Sequence, residues 1–339
     1  MRLCVGTSKG IVILDANRGG TPLMVLAEPS AVWCMAADEA DAGVIYAGSN
    51  GFINGGRGPR GRGALSRSND GGRSWSDITA NLGVDEDVWA IGVPRRAGTV
   101  FVGTAHARLF RSDDHGSSFR ECTGFTKIPG RDRWSFPPPP HIPHIRAIAF
   151  SASEPATMYV GVEEGGVMLS RDAGETFEAM NKGIYPDIHT IAVSRSDPRR
   201  LYATTGGGFY LSENAGSSWR HSMDGLSRNY TIPLLVRDDG SRTIYTAAAA
   251  GPPPSWMGKA SGANALLFRS DDGGRSFNAL EDPYGPRRGM VMRMKPDPSS
   301  DSGFFAVLND GGVIRSADGE SFSTIAEKLP PAYDMVAIP

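Results

Sequence analysis

The chain has 339 residues, with 35 Lys and Arg against 37 Asp and Glu, and this near-even balance excludes a general nucleic-acid binder, which needs a basic excess on one face. No run of 18 or more apolar residues occurs, which argues against a membrane-spanning helix. The 43 glycines and 24 prolines favour many tight turns over long helices. The opening MRLCVGTSKG has no charged segment followed by an apolar one, so the expectation is a cytosolic protein. Cys4, Cys34 and Cys122 are odd in number and far apart, which suits reduced core residues rather than a disulfide framework or zinc motif.

In chain order, the first strand-length phrase is RLCVGT (2–7). A trio follows: VWCMAA (32–37), VIYAGS (44–49) and the polar octet SNDGGRSW (68–75). The trio then returns as VWAIGV, TVFVGT and SDDHGSSF (88–119), and as IRAIAF, TMYVGV and SRDAGETF (145–177). It returns again as IHTIAV, RLYATT and SENAGSSW (188–219), as IPLLVR, TIYTAA and SDDGGRSF (232–277), and as MVMRMK, GFFAVL and the shortened SADGESF (290–322). The chain closes on YDMVAIP (333–339), a seventh copy of the first phrase of the trio. The serines opening the octets stand at 68, 112, 170, 212, 270 and 316. Such intervals match four-stranded propeller blades.

Each octet has the chemistry of a hairpin turn. Its third residue (Asp70, Asp114, Asp172, Asn214, Asp272, Asp318) can accept hydrogen bonds from the turn backbone. A glycine two residues later in the full octets supplies a backbone shape that side chains resist. The closing Trp or Phe is placed to anchor the hairpin on the sheet. The first unit lacks its opening strand and the tail supplies one. The expected fold is therefore all-β: a seven-bladed β-propeller of four-stranded antiparallel blades, closed by the C-terminal strand completing the N-terminal blade. One domain is expected over 1–339, with blades at 1–28 plus 332–339, 32–80, 88–124, 144–180, 188–223, 230–281 and 289–326.

The octets resemble the Asp-box, or BNR repeat, of pattern S-x-D-x-G-x-T-W. Five copies differ only by Thr/Ser, Trp/Phe or Asp/Asn exchange, and the sixth is one residue short. The resemblance implies a propeller like those of sialidases, xyloglucan-cleaving glycoside hydrolases, sortilin-type receptor ectodomains and a photosystem II assembly factor. It also implies that the octet is a structural turn between the third and fourth strands, facing away from any active site. It implies no single function, because these families differ. Sialidases usually carry Arg-Ile-Pro ahead of the first box. Here Ile142-Pro143 follows His141, so sialidase activity is not expected and no catalytic residue is carried over.

With the strands of each blade lettered A to D, the octets are C–D turns. The A–B loops share their face, and the B–C and D–A loops form the other. Three long insertions fall on that second face: 49–64, 124–143 and 248–265. Insertions of this length in a compact fold are usually functional or disordered, and three on one face suggest a walled cavity over the axis. Four of the six histidines sort there too: His106, His141, His144 and His189, with Glu163 and Glu164 between them. The inner-strand heads Trp33, Trp89, Arg146, His189, Ile232, Met290 and Asp334 point to the same mouth, beside Tyr185, Asp187, Tyr230, Arg287, Arg288 and Tyr333.

Two readings follow. The first is a cytosolic hydrolase or lyase on a small polar or sugar-like substrate. In it His144, His189, Arg146 and Asp334 carry the chemistry, while Trp33, Trp89, Tyr230, Arg288 and Glu163 hold the substrate. His106, His141, His144 and His189 are the candidate ligands should a divalent metal assist, since neutral imidazole suits such ions. The second reading is a non-catalytic scaffold for a protein partner or assembly intermediate. Arg57, Arg60 and Arg62 in the Gly-rich insertion are then the candidate contacts.

Overall fold

The computed structural model describes residues 1–16, 21–27, 31–41, 43–51, 63–237, 242–256, 259–282 and 285–338. Seven four-stranded antiparallel sheets make up the fold. Blade 1 runs Ala332–Ile338, Arg2–Thr7, Gly10–Asp15 and Leu23–Leu26 from the axis outward, and blade 2 runs Val32–Ala37, Ile45–Ser49, Leu65–Ser68 and Ser76–Asp77. In blades 3 to 7 the inner strands are Val88–Gly92, Ile145–Phe150, Ile188–Val193, Tyr230–Val236 and Val291–Pro296. Each inner strand touches the next, so the seven form a closed ring. The ring shuts as expected: Arg2 pairs with Ile338 and Cys4 with Val336, and no inner edge is left open in blade 1. No helix among the described residues is long and apolar enough to cross a membrane.

The blades stack through a repeated ring position. The second strands carry Tyr46, Phe101, Tyr159, Tyr202, Tyr245 and Phe305 at equivalent places, all buried. Burying each such ring contributes about 1.5–3 kcal/mol. The octets fold as their chemistry dictates. In the first, the Ser68 hydroxyl accepts the Gly72 N–H at 2.8 Å and donates to Asp70 at 2.9 Å, and Asp70 accepts the Ser74 N–H at 2.9 Å and hydroxyl at 2.6 Å. Gly72 sits at φ 79°, and a Cβ there would lie 2.3 Å from the Cys4 sulfur, so glycine is required twice over. The octet aromatic anchors as expected where Trp219, buried, donates from its indole to the Met180 carbonyl at 2.8 Å.

One feature was not anticipated. Every inner strand carries a β-bulge at its head, as the pairing jumps from Val32 to Cys34, Val88 to Ala90, Ile145 to Ala147, Ile188 to Thr190, Thr231 to Leu234 and Val291 to Arg293. Blade 1 jumps likewise from Ala332 to Asp334. A bulge leaves a residue out of the ladder and re-aims its side chain. The residues so released are Trp33, Trp89, Arg146, His189, Ile232 with Pro233, Met292 and Tyr333. Pro233 suits its place, having no N–H to lose. The sequence alignment is therefore corrected at two heads: Met292 replaces Met290 and Tyr333 replaces Asp334.

Candidate functional site

Four of the released side chains meet at the mouth of the ring. The Arg146 guanidinium lies 4.6 Å over the Trp33 ring, which packs edge-on to Trp89 at 5.5 Å and against Tyr333 at 5.0 Å. Trp89 stacks on the imidazole of His144 at 3.6 Å, and Phe136 meets both rings. Phe136 comes from the insertion at 124–143. The insertion at 248–265 delivers Trp256 onto Tyr230, which in turn contacts the His189 ring at 4.8 Å. Two of the three insertions thus furnish aromatic walls. Most of the third (residues 52–62), including Arg57, Arg60 and Arg62, lies outside the described residues.

Beneath the rings is a buried polar cluster. Glu163 Oε2 accepts the His144 Nε2–H at 2.9 Å and faces Arg146 Nε at 3.2 Å. Because a carboxylate only accepts, His144 Nε2 carries a proton. Burial opposes the charge on Glu163, but His144, Arg146 and His189 outweigh it and hold the carboxyl well below its usual range. Burial likewise pulls the Arg146 pKa down against the attraction of Glu163. His189 donates from Nδ1 to the Thr231 carbonyl at 2.6 Å, and the Thr231 hydroxyl is itself clamped between the Thr205 N–H and carbonyl. His189 Nε2 lies 3.4 Å from Asp187 Oδ1, an ion-pair contact rather than a hydrogen bond. Burial depresses the His189 pKa, yet Asp187 and Glu163 reverse this and raise it. Glu164, beside them at φ 56°, has its pKa raised by burial and by the charges of Asp187 and Glu163. Among the described residues, Glu163, Asp187 and His189 form the one group of three or more His, Cys, Asp and Glu donors, with ligand atoms within 4.8 Å of one another.

The sequence candidates therefore divide. His144, Arg146, His189, Glu163, Trp33, Trp89 and Tyr230 converge. Asp334 does not reach the mouth: one residue past its bulge, it accepts the Met35 N–H at 3.0 Å and pairs with Arg293 at 3.2 Å, inside the ring. Arg288 is exposed and lines a separate recess of about 300 Å³ beside Asp310 and Lys328 on blade 7. His106 is exposed and faces Glu86 at 3.5 Å, while exposed His141 contacts the Phe136 carbonyl at 2.9 Å. The four histidines are therefore not one donor set. Asp187 stood in the sequence only as a neighbouring loop residue; its position two before His189 was the available signal. A cavity of about 610 Å³ opens at the opposite end of the axis, among the A–B loops that carry Glu39, Arg95 and Arg195.

No protein-family model matches the chain. It is 25% identical over 285 residues to a xyloglucanase of Hypocrea jecorina, covering 83% of this chain and 29% of that protein. It is 22% identical over 169 residues to an oligoxyloglucan-reducing end-specific xyloglucanase of Emericella nidulans, covering 42% of this chain and 20% of the relative. The chain thus spans less than a third of the length of these curated relatives. Among solved structures it resembles the GH74 xyloglucanase of Xanthomonas campestris, with a TM-score of 0.73 at 17% identity over 96% of this chain and 52% of that one. It also resembles YCF48 from Cyanidioschyzon merolae, with a TM-score of 0.57 at 13% identity over 90% and 88% of the two chains. At these identities the structural likeness shows the propeller fold.

Proposed function

We propose that this propeller is a hydrolase that binds a saccharide at the loop-face mouth. The observation that carries the reading is the union of two features: a rim of part-exposed rings (Trp33, Trp256, Tyr333 and exposed Tyr185) and the buried carboxylate–imidazole cluster directly beneath it. Flat ring faces suit the apolar faces of sugars, and a few converging charged groups fix orientation. Asp187 and His189 are the acid–base pair. Arg146 and His144 hold Glu163, and Thr231 sets the His189 tautomer. The xyloglucanase of Hypocrea jecorina, similar over 83% of this chain, favours a xyloglucan-type substrate. The turn geometry of the octets supports their reading as Asp-boxes.

The test is an assay of the full chain on xyloglucan oligosaccharides, following release of reducing ends. Hydrolysis is expected, with His189→Asn lowering kcat at least about 100-fold, as loss of a general acid–base group does, and with Trp33→Ala acting mainly on KM. A folded protein that neither binds nor cleaves any oligosaccharide of the panel overturns the reading. A second reading has its own support. The chain matches 85% of the length of a structure described as YCF48 bound to D1 peptide, with a TM-score of 0.54. In that case the same mouth captures a peptide segment of a protein partner.

A further inference from the structure

His189 and Asp187 present an unresolved electrostatic arrangement. The Thr231 carbonyl can only accept, so His189 Nδ1 carries a proton and Nε2 points the other way, bare in the neutral imidazole and protonated in the imidazolium. There it meets Asp187 Oδ1 at 3.4 Å, and neither atom has a hydrogen-bond partner among the described residues. His189 is 2% exposed and Asp187 8% exposed, so both groups are deeply buried. Nε2 and Oδ1 are both buried with no hydrogen bond satisfying them, an arrangement that costs free energy unless a positive charge, a proton on Nε2 or a metal cation in its place, lies between them.

Glu163 completes the arrangement. Its Oε2 is taken by His144 and Arg146, so Oε1 is the oxygen it has left to offer. One oxygen of Glu163 lies within 4.8 Å of the His189 and Asp187 ligand atoms. From these contacts we infer that Glu163, Asp187 and His189 form a site for one first-row divalent cation, with Zn²⁺ the best match. Donors at about 2.0–2.1 Å from a tetrahedral centre stand roughly 3.4 Å apart, and the Asp187–His189 separation is 3.4 Å. An imidazole nitrogen among the donors selects against Mg²⁺ and Ca²⁺, which take oxygen. The outer contacts are those of a built metal site: Thr231 orients the histidine, and His144 with Arg146 orients Glu163. Three protein ligands leave a fourth position for water or a ligand group, the pattern of a catalytic rather than a structural ion. With His189 neutral, two carboxylates and Arg146 give the cluster a net charge of minus one, which a dication turns to plus one. The open position would then favour a hydroxyl or anionic group of a ligand. This inference rests on the hydrolase reading of the same site and changes its chemistry: a bound cation would occupy the His189 and Asp187 atoms, and water on the cation would take over the acid–base role given to that pair above.

The experiment is calorimetric titration of the chelator-treated full chain with ZnCl2 in the absence of any saccharide. One Zn²⁺ per chain is expected, with a micromolar or tighter dissociation constant. Asp187→Asn is expected to weaken uptake at least about 100-fold, since a direct ligand should matter no less than the outer partners that orient it. His141→Ala, outside the cluster, should leave uptake unchanged. Should Asp187→Asn not fold, Co²⁺ absorption in the unaltered chain reads the same site, as tetrahedral Co²⁺ absorbs strongly in the visible and Zn²⁺ displaces it one for one. No stoichiometric uptake overturns the site, as does uptake undiminished in folded Asp187→Asn or a His189 Nε2 that remains protonated in NMR with Zn²⁺ present. Because no saccharide is used, failure here is separate from failure of the hydrolase reading.

Discussion

The two faces of this propeller use carboxylates in opposite ways. On the octet face, each Asp is bonded by donors two to four residues away in its own turn, as Asp172 is by Ser170 and Thr176. Those groups are exposed or half-exposed and self-contained. At the mouth, Glu163 is bonded by His144 and Arg146, from a different stretch of the chain, and is buried. Asp187 is buried with an oxygen left over. A local network completes itself wherever its octet is spelled. A network assembled between loops and strands distant in sequence can retain unsatisfied atoms, and those atoms are what chemistry or a ligand can use.

Acid should produce the largest effect, because it acts at once on the five octets that carry Asp. Hydrogen bonds from the Ser74 hydroxyl and amide hold Asp70 down to about 2, and the Ser112 and Ser118 hydroxyls do the same for Asp114. In Asp172 and Asp272 burial opposes the shift, but bonds from Thr176 and Ser276 outweigh it and hold both at about 2. Folded-state values below the unfolded value of about 3.9 mean that this stability is fully present above that pH. It is lost as pH falls from about 4 toward 2, and Tm measured across that range should drop steadily. A flat Tm there would remove the octets from the stabilising frame. Next in size, Arg146→Ala strips one partner from buried Glu163 and should cost about 3–5 kcal/mol in urea unfolding. A cost near zero would mean that the mouth is as forgiving as the surface.

Ser170→Ala should be intermediate. It orphans the buried Gly174 N–H, which Ser170 Oγ accepts at 2.9 Å, for about 1–3 kcal/mol. Asp172→Asn should be smallest, at about 1 kcal/mol, because Asn keeps the acceptor oxygen and loses only the charge that strengthens its hydrogen bonds. The blade at 188–223 shows why: Asn214 already accepts the Ser218 N–H at 2.9 Å and donates to its hydroxyl at 2.9 Å. A large cost for Asp172→Asn would show that charge, not geometry, holds the turn.

The same contrast explains what the sequence revealed. The octets and strand phrases are short local patterns repeated six or seven times, so blade number and the closing tail were readable. Trp33, Trp89, Arg146 and His189 were also readable, because they recur at one place in an aligned phrase. Blades 1 and 7 were read out of register because a bulge adds a residue that strand periodicity does not announce, which exchanged Tyr333 for Asp334. Asp187 acquired meaning only through its distance to His189 and Glu163, and Thr231 acts through a backbone carbonyl that no residue identity encodes.

Asp334 was expected at the mouth, but its actual position has a consequence for assembly. The closing strand must find its partners from the far end of the described chain, and β-pairing alone would tolerate a slip. A slip of one residue would turn the Asp334 carboxylate away from Met35 and Arg293, its partners on the neighbouring inner strands. The charge would then be buried without compensation, which is among the costlier errors a core can make. The last strand thus carries its own register check: the correct seating satisfies the charge, and the seatings beside it are penalised.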